Sequence, residues 1–334
     1  MLHHFTRSIA HIALPDKFTY PFHYTPHPLC VMAADEVQVY LQHQAQWQDE
    51  LQQGKMFGVL IVQTTEGEIG YLAAFSGILA GKNIHPYFVP PIYDLLQPDG
   101  FFKKEEEHIS AINHRIRELE EDTSYQKCRQ ALEEETARCS RLLSQAKAKL
   151  KAAKELRDCR RQTEQLSESE QAAMIRESQF QKAELKRLER SLKEHLSSLQ
   201  KETDTYVSQI EALKNERKSR SATLQQQLFE QFRLLNARGE VKDLCSIFAH
   251  TVHKIPPAGA GECAAPKLLQ YAYFHHYRPV AMAEFWWGDS PKAEIRHHGH
   301  YYPACKGKCE PILGHMLQGL EVEENPLLED NHRT

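Results

Sequence analysis

The sequence predicts an α+β chain in which small mixed globular segments flank a long antiparallel α-helical coiled-coil hairpin. Three observations lead there. All 15 glycines and 16 prolines lie outside residues 101–238, so 138 consecutive residues hold neither helix breaker, where average usage would place about 16. Inside that stretch, apolar side chains recur at spacings of three and four. On either side of it, turn residues, β-branched runs and aromatics return, as small folded segments require.

Residues 1–103 read as an N-terminal α+β segment. A helix is predicted over Ala33 to Leu51, and the runs Met56–Val62 and Ile69–Phe75 flank Thr64-Thr65-Glu66-Gly67, a hairpin signal. Residues 104–236 form the rod. Its second half carries a seam of Leu185, Leu188, Leu192, Leu196, Leu199, Thr203, Tyr206, Ile210 and Leu213, the pattern of a coiled coil with one stutter. The first half is weaker, through Ile109, Ile112, Ile116, Leu119, Leu132, Cys139, Leu143 and Leu150. The polar step at 166–170, Leu-Ser-Glu-Ser-Glu, is the expected turn. Two arms of about 60–65 residues would each span on the order of 90–100 Å. A parallel homodimer is the competing geometry; the hairpin is preferred because it brings the flanking segments together. Residues 237–320 form a second mixed segment, rich in Gly, Pro, His and Cys, and 321–334 reads as an acidic linker or tail.

Lysine and arginine number 41 against 45 acids, a formal charge of −4, so any pull toward nucleic acid or an anionic surface must be local. No apolar run reaches about 18 residues, and the first residues lack the basic-then-apolar order of a secretory signal. A cytoplasmic location without membrane association is therefore expected. Eight cysteines without an export signal favour reduced thiols or a metal site over a disulfide framework.

Charge along the rod is uneven. Residues 105–135 hold ten acids and four bases, while 138–161 hold nine bases against Glu155 and Asp158. Folded about 166–170, the chain would set Lys186, Arg187 and Arg190 beside Lys147, Lys149, Lys151, Lys154, Arg157, Arg160 and Arg161. Such a surface suits RNA phosphates; an ordinary solvated helical face is the plainer alternative.

The densest polar cluster runs from Arg296 to Cys309. Cys263, His298, His300, Cys305 and Cys309 are candidate ligands of a structural zinc, with Gly307 allowing the two nearer thiols to converge. The C-x3-C and H-x-H spacings are not a standard knuckle, and hydrogen-bonded side chains within a folded module are the alternative. No other cofactor is expected. Gly77-Ile78-Leu79-Ala80-Gly81-Lys82-Asn83 is one residue short of a phosphate loop and has Asn where magnesium needs Ser or Thr. Cys263 has no assigned base, so it reads as a structural thiol rather than a nucleophile. Trp286 and Trp287 offer faces to bases, although core packing is their commoner use.

Several stretches carry a family likeness. Pro256 to Leu269, Ala283 to Gly288, His297 to Leu313, Pro21 to Cys30, Gly54 to Leu60 and Phe88 to Asp94 resemble the amino-terminal extension of long bacterial pseudouridine synthases of the RluA family, over roughly residues 15–325. The resemblance implies isomerisation of uridine in ribosomal or transfer RNA by a synthase domain expected downstream of this chain. The family's catalytic His-Arg-Leu-Asp does not occur here; Asn113-His114-Arg115-Ile116 and Asn331-His332-Arg333-Thr334 are not substitutes. No catalytic residue is carried over. The expected function is an accessory RNA-engaging region whose intramolecular partner is that synthase domain. A coiled-coil protein-interaction scaffold is the alternative.

Overall fold

The computed structural model describes residues 1–252, 254–292 and 294–329; the expected acidic tail lies outside the described residues from 330 on, with Asn331 and His332. The chain is mixed α and β and divides into two compact units, one made of Met1–Glu105 with the chain from Ala222 onward, the other of Glu106–Ser221. Among the described residues no helix is long and apolar enough to cross a membrane.

In the first unit, helix α1 (Pro28–Gln42) begins where Pro28 occupies the first helical position and the His27 ring accepts the Leu29 N–H at 3.3 Å. Leu29, Ala33, Val37 and Leu41 line its buried stripe. The helix predicted to run on to Leu51 stops at His43. There Gln48 donates its side-chain amide to the carbonyls of Leu41 and Gln44, and a 3-10 turn at Ala45–Trp47 buries Trp47 before the short α2 (Gln48–Gln52). Strands β1 (Lys55–Gln63) and β2 (Ile69–Phe75) pair antiparallel, from Phe57 opposite Phe75 to Gln63 opposite Ile69. The turn between them is fixed by Gly67, whose φ of +90° suits glycine, and by Thr64 Oγ1 accepting the Glu68 N–H.

Three helices follow, α3 (Phe101–Glu121), α4 (Thr123–Thr163) and α5 (Glu168–Gln231). After them come β3 (Arg233–Leu235), β4 (Val241–Asp243), α6 (Leu244–Phe248), α7 (Ala264–Phe274), β5 (Arg278–Trp287), β6 (Tyr301–Tyr302), α8 (Cys309–Met316) and α9 (Pro326–Glu329). The principal sheet has the order β2-β1-β5-β6, so strands from before and after the three helices share it. Both faces of β1 are covered, which explains its continuous apolar run. One face meets α1 and a ring cluster of Phe57, Phe75, Phe88 and Phe285; the other packs against α7 and α8 through Leu60, Val62, Leu268, Ile312 and Leu313. Gly58 lets α7 come close. A Cβ there would lie 3.0 Å from the Ala264 Cβ and 3.1 Å from Leu268.

The second unit is helical. Ile116, Leu119 and Ile210 form a small core, with Ile112, Tyr125 and Leu213 packed around it. Polar pairs continue from there in antiparallel order: Glu120 with Lys214 at 2.7 Å, Glu135 with His195 at 3.5 Å, Lys147 with Glu189 at 3.3 Å and Arg157 with Glu177 at 3.9 Å. Of the predicted seam, Leu192, Thr203 and Ile210 are buried. The break between α4 and α5 falls at the expected polar step. Its cause is a capping box, in which the Ser167 N–H donates to the Glu170 carboxylate at 2.8 Å and the Glu170 N–H returns to Ser167 Oγ at 3.4 Å. A second break at Asp122, whose carboxylate caps Ser124 and Tyr125, went unread in the sequence.

Lys267 on α7 is 2% exposed. Its ammonium donates to the carbonyls of Phe75 at 2.8 Å and Gly77 at 3.3 Å, and burial pushes it down from 10.5 to about 8. Between those values the unfolded chain holds a proton that the folded chain has released. Stability should therefore rise as pH goes from about 8 to 10.5, by up to about 3 kcal/mol. Urea unfolding at several pH values should show this rise in the native chain and a flatter profile in Lys267→Met; parallel profiles would refute the assignment.

Candidate metal centre and cationic arm

Two helix starts and one turn bring three thiols together. Cys263 is the N-cap residue of α7. The loop before it turns through Gly259 and Gly261, both with positive φ, and Gly261 has no room for a side chain because a Cβ would lie 2.6 Å from the Phe232 ring. The loop is pinned to the end of β2 by the Gly77 N–H on the Glu262 carbonyl at 3.0 Å and the Ala264 N–H on Ser76 Oγ at 3.3 Å. Cys305 and Cys309 flank the start of α8, where the Cys309 N–H donates to the Cys305 carbonyl at 3.2 Å. Gly307 was expected to supply the turn through glycine's freedom. It is not among the positive-φ residues, so ordinary backbone geometry makes the approach.

The three sulfurs lie within 4.8 Å of one another. Cys309 is buried in the core, Cys263 is partly buried and Cys305 is exposed, and all three are free thiols. Cys305 is held far below the usual thiol range by hydrogen bonds from the Cys263 and Cys309 thiols, assisted by the N–H groups of Cys309 and Lys308. Cys309, the donor to both other sulfurs and itself buried, is pushed up. A thiolate braced by backbone N–H groups at a helix start is an electrostatic preparation for a cation. Zinc–sulfur bonds of about 2.3 Å put tetrahedral sulfurs roughly 3.8 Å apart, so these sulfurs need close by at most about an ångström. The donor set of three sulfurs fits a soft or borderline metal.

The predicted histidines do not join the thiols. His298 Nδ1 accepts the Gly288 N–H at 3.0 Å and its ring lies 4.1 Å from Trp287. His300 pairs through its backbone with His297 and Trp286. Both shape the turn between β5 and β6, because Gly288 (φ +104°) sits against the Leu51 carbonyl and the chain must be held there. His315 is buried, its Nε2 3.0 Å from the Leu234 carbonyl.

Behind the thiols lies a group the sequence reasoning passed over. Glu284 is buried in β5 and accepts the Ala265 N–H at 3.2 Å. Burial pushes its carboxyl up to about 7, against the Ala265 hydrogen bond. A lone acid inside the apolar run Pro279–Trp287 was the available signal. The tryptophans divide: Trp287 is buried, while Trp286 lies under the Arg296 guanidinium at 5.2 Å.

On the second unit the ten predicted RNA contacts separate by environment. Arg157 is 6% exposed and donates to Gln181 at 2.7 Å, so it joins α4 to α5 and cannot reach a phosphate. Lys147, Lys151, Arg160, Arg161 and Arg187 each have an acidic neighbour, respectively Glu189, Glu155, Glu164, Asp158 and Glu184. Lys149, Lys154, Lys186 and Arg190 are exposed and make no ion pair within 4.0 Å among the described residues. No family model, curated protein or solved structure matches this chain.

Proposed function

We propose that the chain is an accessory RNA-engaging region of an RluA-like pseudouridine synthase, acting on ribosomal or transfer RNA, with the isomerisation carried out by a synthase domain downstream. The observation that carries this reading is that several exposed cations make no ion pair among the described residues, among them Lys149 and Lys154 on α4 and Lys186 and Arg190 on α5. In this reading α4 and α5 are a coiled-coil hairpin that presents those cations, and Cys263, Cys305 and Cys309 hold a structural zinc that ties α7 to α8. Three thiolates around one zinc would replace an electrostatically awkward thiol cluster with a neutralised one, and metal binding would add to folding stability.

A protein-interaction scaffold is the second reading. It draws on a groove of about 430 Å3 between α4 and α5, lined by Leu150, Phe180, Leu185 and Leu188, with Phe180 largely exposed.

Filter binding of a ribosomal RNA transcript across a potassium chloride series tests the RNA reading. Affinity should fall steeply with salt, and Lys149→Glu, Lys154→Glu, Lys186→Glu and Arg190→Glu combined should weaken it at least tenfold and flatten the salt slope by about 0.7–0.9 per lost phosphate contact. Unchanged affinity would remove the cationic arm from the account and favour the scaffold. For the hairpin, spin labels at positions 135 and 195, diluted with unlabelled chains, should keep a short separation; a distance that vanishes on dilution would mean pairing between chains.

Protein purified under reducing conditions without a histidine tag should carry about one equivalent of zinc. Cys309→Ser should lose it and should unfold at lower temperature, as should native protein treated with a strong chelator. Less than a tenth of an equivalent in the native chain would end the zinc assignment.

A further inference from the structure

A second surface of the first unit is used neither by the thiols nor by the cationic arm. It begins where α7 stops. Phe274 is the last residue of that helix, and His275, His276 and Tyr277 turn the chain into β5, His276 with a φ of +59°. The Tyr277 N–H closes the turn on the Ala272 carbonyl at 2.8 Å. The turn leaves the Phe274 ring 70% exposed, although the helix buries the ring-free side formed by Ala264, Leu268 and Ala272.

Beside Phe274 lies a cavity of about 800 Å3, lined by Tyr273, Phe274, His276, Tyr277 and two arginines, Arg238 from the turn between β3 and β4 and Arg278 at the start of β5. No carboxylate lines it. Arg278 donates twice to the neutral amide oxygen of Gln63, at 3.2 and 2.9 Å, so its charge is positioned but not cancelled. Arg238 has no ion pair among the described residues. The nearby Glu240 carboxylate accepts the Asn236 side-chain amide at 2.8 Å. A short ladder of rings backs the turn, Tyr271 against His275 at 4.1 Å and His275 against Tyr277 at 5.7 Å.

Open ring faces next to uncancelled guanidinium groups are what an unpaired nucleic-acid strand needs. Bases stack on aromatic faces and phosphates meet the cations. A duplex hides its base faces and cannot use the rings. A peptide of aspartate and glutamate could satisfy the arginines, but it would bring no flat ring to the exposed side of Phe274, whose other ring contact is the edge-on His275 at 5.4 Å. We infer that this groove binds a single-stranded segment of RNA, with a base on Phe274 and phosphates on Arg238 and Arg278. The inference extends the RNA reading to a separate surface and rests on its own residues.

Fluorescence anisotropy with a labelled decamer of uridine and a labelled RNA duplex decides it. The native chain should bind the decamer, and Phe274→Ala should weaken that binding by about 5- to 150-fold, the range of one base-stacking contact. Duplex binding should stay unchanged. Phe274→Trp should restore the decamer, and Arg238→Glu should weaken it. The fourfold arm variant should keep decamer binding, which separates failure of this groove from failure of the arm. Equal affinity for decamer and duplex, an unaffected Phe274→Ala, or displacement of the decamer by polyglutamate at equal charge concentration would overturn the proposal. Phe274 is exposed enough that its alanine variant should fold; circular dichroism of that variant checks it.

Discussion

The first unit depends on the pairing of β1 with β5. From Lys55 opposite Trp287 to Gln63 opposite Arg278, with one irregularity at Ile61 and Val62, strands far apart in sequence become neighbours. The closure cost of bringing such distant segments together grows only slowly with the intervening length, and burial of both sheet faces offsets it. Once β1 and β5 are side by side, α7 must lie across them at Gly58, and its first turn is delivered to the end of β2 where Ser76 and Gly77 receive it. The thiols meet because the sheet does.

That dependence explains why a metal suits this place. Cys263 starts one helix and Cys309 starts another, and both helices rest on the same sheet face through Leu268, Ile312 and Leu313. Apolar packing holds the bodies of α7 and α8, but their first turns present N–H groups and a thiolate that hydrocarbon cannot satisfy. A cation bound to three sulfurs would join the two ends where packing is weakest. Glu284, behind them, is pushed toward its neutral form by burial, against the pull of its bond from Ala265, and that limits the negative charge collected at one point.

What could be read from the sequence follows from how local each cause is. Helix formation depends on neighbours within four residues, so the absence of breakers over 101–238 located the helical stretch, and the Ser-Glu-Ser-Glu step marked the interruption between α4 and α5, though not the one at Asp122. The β1–β2 hairpin was equally local. The partnership of β1 with β5 was not, because a strand's pattern says that it pairs and does not name the partner. Cys305 and Cys309 were legible by spacing and Cys263 by its company. His298 and His300 misled because imidazoles at alternate positions look the same whether they face an ion or, like His298, receive a backbone N–H. Glu284 was a polar residue in an apolar run, and only the register shows that it sits against α7.

Charge shows the same limit and points to how the second unit divides its work. Counting bases over 138–161 treats Arg157 and Lys154 alike, yet even neighbours on one helix side, about 60° apart around the axis, can fall on either side of the buried edge. Arg157 is inward, held by Gln181 and Glu177, and Lys154 is outward with no ion pair among the described residues. Exposed ion pairs such as Lys151 with Glu155 contribute little to stability, so their acids mainly lower the local positive potential. The outward cations without such neighbours would lose little by meeting a phosphate, since no ion pair must first be broken. Affinity for a polyanion would therefore depend on the cations that the fold leaves uncompensated, and the total over the stretch is a poor guide to it.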